Sequence, residues 1–425
     1  MVDIRPFRAI MYTEKAGDPA SLITQPYDKI DSALQREYYG RSVYNYCRII
    51  LPIENDRYET ARQRIQNWLS ENVLHKEEKA AVFVSKQDFK LSGKPYSRTG
   101  IIAALRLYPY GENMVFPHEI TYSEPKADRL NMLRAVEKDL EPVFLIYSDP
   151  ENFAADFFAE ITKTKPAVEV EDSLGVRHSI WKVAEPQKIN LLRKAMENKK
   201  LVITDGHHRY ESAIAYRDER RKKVSWTEDS AFNFHMCYMV PVQDEGLTVL
   251  PTYRLLKHCE LTRESWLALN EMFTVTEIAS KIESLEGFLR THSKEHAFVI
   301  YDGKKAHGLI LKDENAAAKL VNYHCPKEAC LLDVVILRDV IFKHILKVGE
   351  LRMDENILYA GSISSALEKV DNGQAEVAFL VNSISPETVW QIAQKNWRLP
   401  EKSTDFYPKP VSGLLIMDIA PEEKL

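Results

Sequence analysis

The chain is predicted to fold as α/β or α+β, for three reasons. Short β-branched apolar runs alternate with amphipathic helical stretches. One unit, Leu201 to Lys223, reads as a buried strand, an Asp-Gly turn and a helix. A length of 425 residues is more than one hydrophobic core usually serves.

Taken in order, an extended N-terminal segment leads to a proline-bounded turn at Gln25-Pro26-Tyr27-Asp28. Residues 31–40 read as a helix capped by Asp31. Cys47 to Leu51 is an apolar run read as a strand. Tyr58 to Asn72 is an amphipathic helix with Ala61, Ile65 and Trp68 near one face. Residues 80–89 and 100–107 form two strands around Ser92-Gly93-Lys94-Pro95. A helix over 128–138, strands over 142–147 and 179–183, and a helix over 186–198 precede the strand–Asp-Gly–helix unit. Strands over 233–242 and 247–251 follow it. Beyond residue 256 the pattern restarts, with helices near 264–272, 332–346, 361–369 and 386–395. Strands are expected at 297–301, 309–311 and 377–381. The expected domains are therefore 1–255 and 256–425, with the 399–410 loop of the second reaching toward a cleft.

Composition excludes several classes. A net charge of −5 gives no electrostatic footprint for nucleic acid. No apolar run has the length a membrane helix needs, and the start lacks a secretory pattern. Five scattered cysteines suit a reducing cytoplasm better than a disulfide framework. His324, Cys325 and Cys330 hint at zinc, but no second close pair completes four ligands.

The chemistry concentrates at Asp205-Gly206-His207-His208-Arg209-Tyr210-Glu211. Asp205 is placed to cap the helix, and Gly206 lets the backbone turn. A helix N-terminus attracts anions, and His207, His208 and Arg209 add donors suited to phosphate. Metal binding is the rival: His207 and Glu211, at i and i+4, share a face. A second cluster joins His118 and Glu119 to the cations Lys126 and Arg129, which at i and i+3 face the same way. A third is the proline-rigid loop carrying Lys402, Ser403, Thr404 and Lys409, against the alternative of a tail anchored by Phe406 and Tyr407.

Pro26-Tyr27-Asp28, Pro117-His118-Glu119-Ile120-Thr121, Lys126-Ala127-Asp128-Arg129, the Asp205–Glu211 string, Leu250-Pro251-Thr252 and Lys402-Ser403-Thr404 with Phe406-Tyr407-Pro408-Lys409 all resemble motifs of the bacterial and archaeal "domain of unknown function 1015" family. Gln25 and Tyr253 depart from the family pattern, where a proline and a histidine are expected. The turn from 205 to 209 also resembles, more distantly, the phosphate box of the ParB and sulfiredoxin superfamily, which includes free-serine kinases. That resemblance implies a mixed sheet with helices in the N-terminal part. Sulfiredoxin chemistry needs a cysteine at the box, and none lies between Asp205 and Glu211. A segregation protein would need a helix-turn-helix domain and a basic surface, and neither is evident.

The sequence reading is thus a cytoplasmic phosphotransferase acting on a small metabolite, akin to a nucleotide-dependent free-serine kinase. Asp205, Gly206, Arg209, Glu211, Lys126, Arg129 and the 402–409 loop would bind the ligand, with His207 and His208 at the reacting phosphate. Asp28, Glu119 or His118 would handle the proton. Magnesium with ATP or ADP is the implied cofactor set, magnesium being held through Asp28, Glu119 or Asp205. A phosphohydrolase using the same pocket and a non-catalytic nucleotide sensor are the alternatives. A phosphorylated metabolite or nucleotide is the expected partner, with no nucleic acid or membrane, and a homo-oligomer is compatible with the reading.

Overall fold

The computed structural model describes residues 1–119, 123–321, 327–348, 356–400 and 402–425. The chain divides into two compact units. The first comprises Met1–Pro117, Thr121–Thr248 and Pro408–Leu425, and the second His118–Ile120 and Val249–Tyr407. The predicted α/β class is the one observed.

The first unit is built around a mixed nine-stranded sheet. Its strands are β1 (Ile4–Arg5), β4 (Val82–Leu91), β5 (Lys94–Arg106), β6 (Val115–Pro117), β8 (Val143–Tyr147), β9 (Val168–Glu171), β10 (Arg177–Val183), β11 (Leu201–Asp205) and β12 (Phe234–Pro241). Their order is β6-β11-β8-β12-β5-β4-β10-β9, with β1 on β5. The central strands β8 and β11 are buried along their whole length. Such strands read as continuous apolar runs rather than alternating ones. A four-stranded sheet in the same unit has the order β3 (Leu74–Lys76), β2 (Ala9–Tyr12), β21 (Ile416–Asp418), β7 (Lys138–Asp139).

Most predicted helices of this unit form close to where they were expected. In α1 (Ser32–Arg41), Asp31 accepts from the backbone N–H groups of Ala33 and Leu34. The next long helix, α3 (Arg57–Ser70), buries Ala61, Ile65 and Trp68. One expected strand is a helix instead: Cys47–Ile50 forms the single turn α2. The Asn45 side chain accepts from the Cys47 N–H at 2.9 Å, and the Tyr46 hydroxyl donates to the Leu140 carbonyl. That fixes the turn, and Ile49 and Ile50 fall into a core shared with Ile65, Trp68 and Met132. A short apolar run specifies burial, not the period that would separate helix from strand. Later come α4 (Ser123–Val136), α5 (Phe153–Ile161), α6 (Pro186–Met196) and α7 (His207–Lys223).

The chain's last stretch was expected to remain in a C-terminal domain, but Pro408–Leu425 belongs to the first unit. Strand β21 pairs with β2 and β7. Asp418 on it receives Lys76 at 2.9 Å and Lys138 at 2.8 Å.

The second unit carries a six-stranded sheet of order β15-β17-β16-β19-β14-β18. These are Phe273–Ile278, Ala306–Leu311, Ala297–Tyr301, Val377–Val381, Tyr253–Leu256 and Ile357–Ala360. One apolar core of this unit gathers Phe298, Phe379, Ile341 and Phe342. Another gathers Leu285, Leu289, Ala366 and Val370. Residues 336–345 run as wide π-type turns inside the helix expected over 332–346. No helix among the described residues is long and apolar enough to cross a membrane.

Cys47, Cys237 and Cys259 are free thiols. His324 and Cys325 of the zinc hint lie outside the described residues.

Candidate functional site

Strand β11 ends at Asp205, and α7 begins at His207. Gly206 between them has φ +89, in the left-handed region that a side chain disfavours. A Cβ there would meet the Arg209 guanidinium at 3.0 Å. The sequence predicts this glycine, and the structure adds its reason: Arg209 folds back over the turn. The expected capping by Asp205 is not observed. Gly206 is the N-cap, and no side chain among the described residues caps the helix. The Asp205 carboxylate is taken by two cations instead. Arg209 donates Nη2–H to Oδ2 at 2.6 Å, and the Lys409 ammonium lies 2.8 Å from Oδ1.

Arg209 is only 7% exposed. Its Nη1 donates to the Pro142 carbonyl at 2.7 Å, which locks the planar fork. Its Nε is buried, and no hydrogen-bond partner for it occurs among the described residues. Burial disfavours both charges of the pair. The cations Lys409, Arg209 and Lys29 nevertheless hold the Asp205 carboxyl well below the usual carboxylate range. The carboxylates of Glu141, Asp205 and Asp28 likewise hold the guanidinium firmly protonated.

Two motifs that are remote in sequence complete this neighbourhood. Tyr27 and Asp28 sit on a short 3₁₀ turn, Tyr27–Lys29. The Tyr27 N–H donates to Glu141 Oε1 at 3.1 Å, and the Ser412 hydroxyl donates to the same oxygen at 2.7 Å. The Arg129 guanidinium stacks 4.1 Å from the Tyr27 ring centroid, close enough for a cation–π contact. Burial, first, and the Asp28 charge push the Tyr27 hydroxyl upward, against Arg129 and Arg209. The sequence singled out Asp28, Arg129, Asp205, Arg209 and Lys409. It missed Glu141, Pro142 and Ser412, whose roles arise only from tertiary contact. The Pro-Tyr-Asp motif was the one available pointer to Tyr27.

Other expected ligand groups have protein partners. Glu211 accepts the Tyr110 hydroxyl at 3.2 Å and pairs with Lys126 at 3.0 Å. Arg129 pairs with Asp128. Lys126 and Arg129 thus serve different carboxylates, despite their i, i+3 spacing. His207 is buried and His208 half-buried at the start of α7.

His118 and Glu119 belong to the second unit, with residues 402–404. There the structure joins two clusters read separately in the sequence. His118 Nε2 and the Thr404 hydroxyl are 2.7 Å apart, and Thr404 donates to Glu119 Oε1 at 3.3 Å. Leu399 N–H donates to the His118 carbonyl, and the Phe406 ring meets the imidazole edge-on. His118 is 1% exposed. Ser403 donates to the Pro400 carbonyl, and Lys402 is exposed at φ +53. The loop expected to act as one piece is divided: Lys409 lies in the first unit, and residues 402–404 lie in the second. Ile120, Thr121 and Glu401, which complete these motifs, lie outside the described residues.

No group of three His, Cys, Asp or Glu side chains that could hold a metal ion occurs among the described residues. Asp205, expected as a magnesium ligand, has both oxygens engaged by cations. It does not fit that role.

The family model described as "Protein of unknown function (DUF1015)" matches residues 4–335. No curated protein matches the chain. Among solved structures, a free serine kinase in complex with AMP aligns at 14% identity and a TM-score of 0.37. The alignment covers 77% of this chain and 93% of that one. A conserved hypothetical protein from Pyrococcus furiosus aligns at 13% identity and a TM-score of 0.33, covering 74% and 94%. SbnI with a C-terminal truncation, from Staphylococcus aureus, aligns at 9% identity and a TM-score of 0.33, covering 75% and 88%.

Proposed function

Because the chain belongs to the DUF1015 family, whose description names no activity, its function has to be read from the site, and we propose that it binds the phosphate of a small phosphorylated metabolite or nucleotide at the Gly206–Arg209 turn and transfers a phosphoryl group there. One observation carries this reading. A buried arginine, fixed by Asp205 and Pro142, keeps an Nε–H that is unpaired among the described residues, at the N-terminus of a helix that no described side chain caps. A buried unsatisfied donor costs about 1–3 kcal/mol, and a helix N-terminus adds partial positive charge. An anionic oxygen at that Nε would satisfy both.

Phosphoryl transfer asks a protein mainly for positioning and charge. Arg209 supplies a preorganised donor, and Lys409 supplies a second cation. Asp28, exposed on the neighbouring turn of the same unit, is the carboxylate assigned to the acceptor. The acceptor hydroxyl gives its proton to Asp28 as its oxygen bonds to phosphorus. The bond from phosphorus to the leaving oxygen breaks, and that oxygen keeps the electron pair. A serine-like hydroxyl is the acceptor class to try first.

The test is direct. The protein is incubated with ATP or ADP, with and without Mg²⁺, against amino acids and sugars, and phosphorus is followed by NMR. Inorganic phosphate, AMP and ADP are titrated in parallel by thermal shift, since a ligand that binds only the folded state stabilises it. New phosphoester signals support the transferase, and free phosphate alone supports the hydrolase. Absence of any binding at millimolar concentration removes the phosphate reading.

A further inference from the structure

Charged groups of both signs surround the turn. Lys29, Arg209 and Lys409 stand with Asp28, Asp205 and Glu141. A phosphate adds one or two negative charges to this set. In a buried site an uncompensated charge is expensive, so a cation has to change partner when the ligand arrives. Glu141 is held by the Tyr27 N–H and the Ser412 hydroxyl. Asp205 is bonded to both cations, one on each oxygen. Arg209 cannot leave it easily, because its other branch is tied to the Pro142 carbonyl. Lys409 can: its flexible stem enters from the loop before β21, and its side chain is 14% exposed against 8% for Arg209.

We propose that Asp205 is an internal stand-in for the ligand's phosphate, and that phosphate binding draws the Lys409 ammonium from Asp205 onto a phosphate oxygen. Lys409 then acts as an exchanging cation and Asp205 as a competing anion. This deepens the proposed function and rests on it. It also sets specificity, since only a ligand that presents more negative charge than one carboxylate can win the exchange. Phosphate monoesters qualify, and simple carboxylic acids do not.

The exchange has a sign that a purely structural salt bridge lacks. Removing the competitor by Asp205→Asn is expected to tighten binding of inorganic phosphate and AMP about tenfold, measured by calorimetry on the full chain. Unchanged or weaker binding by a folded Asp205→Asn protein overturns the proposal. Should that variant fail to fold, the wild-type protein labelled with ¹⁵N-lysine supplies the second readout. The Lys409 Nζ resonance, assigned by its loss in Lys409→Met, is expected to shift as phosphate saturates the site. A resonance that stays fixed while phosphate binds elsewhere on the isotherm overturns the exchange but leaves the phosphate site standing. Absence of phosphate and AMP binding to the wild type overturns both.

Discussion

The ammonium of Lys409 lies 2.8 Å from the carboxylate of Asp205. The end of a central strand and a loop near the end of the chain therefore meet in one ion pair. Arg209 completes it from the first turn of the helix that the strand leads into. The consequences can be measured.

Arg209→Lys is expected to damage binding and folding together. Lysine keeps the charge but cannot serve Asp205, the Pro142 carbonyl and a ligand at once. The stranded carbonyl costs about 1–3 kcal/mol, seen in urea unfolding. Phosphate affinity should fall in the protein that remains folded. Unaltered affinity for phosphate would show that Nε is not the ligand donor.

Gly206→Ala should act on the same fork from the other side. A positive φ costs a non-glycine residue about 1–2 kcal/mol, and the new methyl meets the guanidinium at 3.0 Å. Thermal unfolding should report the strain, and phosphate titration should report the displaced fork. If only stability changes, Arg209 tolerates displacement and the turn is not a precise cradle.

Asp418→Asn tests the anchorage of the tail. It removes the carboxylate that Lys138 pairs with and one of the two that Lys76 pairs with, the other being Glu423, and a loss of about 1–3 kcal/mol is expected. Those lysines hold the Asp418 carboxyl below its ordinary value, against the opposing effect of burial. A depressed carboxyl contributes stability above the usual carboxylate range, near pH 4. That contribution fades as pH falls through the lower folded-state value. The variant should therefore lose part of the wild type's acid sensitivity. An identical acid-unfolding profile would count against the anchorage.

His296 gives the opposite sign. Its Nδ1 is 2.7 Å from Asp333, and that bond raises the imidazole above its ordinary value. The contribution is complete below about pH 6.5 and is lost as pH rises through the higher folded-state value. The side chain is 23% exposed, so solvent screening keeps the gain under about 1 kcal/mol. Comparing melting temperatures of wild type and His296→Asn from pH 6 to pH 9 should show the two curves converging at the alkaline end. Parallel curves would remove the assignment.

Local signals in the sequence were the reliable ones. Asp31 caps α1, and Ala61, Ile65 and Trp68 point inward from α3, because each depends on neighbours a turn away. The strand, turn and helix around the Asp205–Arg209 string were legible for the same reason. The partners of that string were not. Ser412 meets a Glu141 carboxylate oxygen across a sequence separation of 271 residues, and nothing in either neighbourhood announces it. Cys47–Ile50 misled because buried helix and buried strand look alike over four apolar residues. Residues 402–409 were read as a single loop, yet the unit boundary falls between Tyr407 and Pro408. Local periodicity carries no trace of that change of allegiance.

The tail's membership of the first unit has a consequence for biosynthesis. A chain emerges from the ribosome amino end first, and domains generally fold as units as they appear. Here the first unit lacks β21 and Lys409 until Pro408–Leu425 is made. The second unit draws nearly all its residues from the continuous span Val249–Tyr407. The order of completion therefore differs from the order of translation: the unit begun first is completed only after Val249–Tyr407 has been made, and its Asp205–Arg209 turn stays without Lys409 until then.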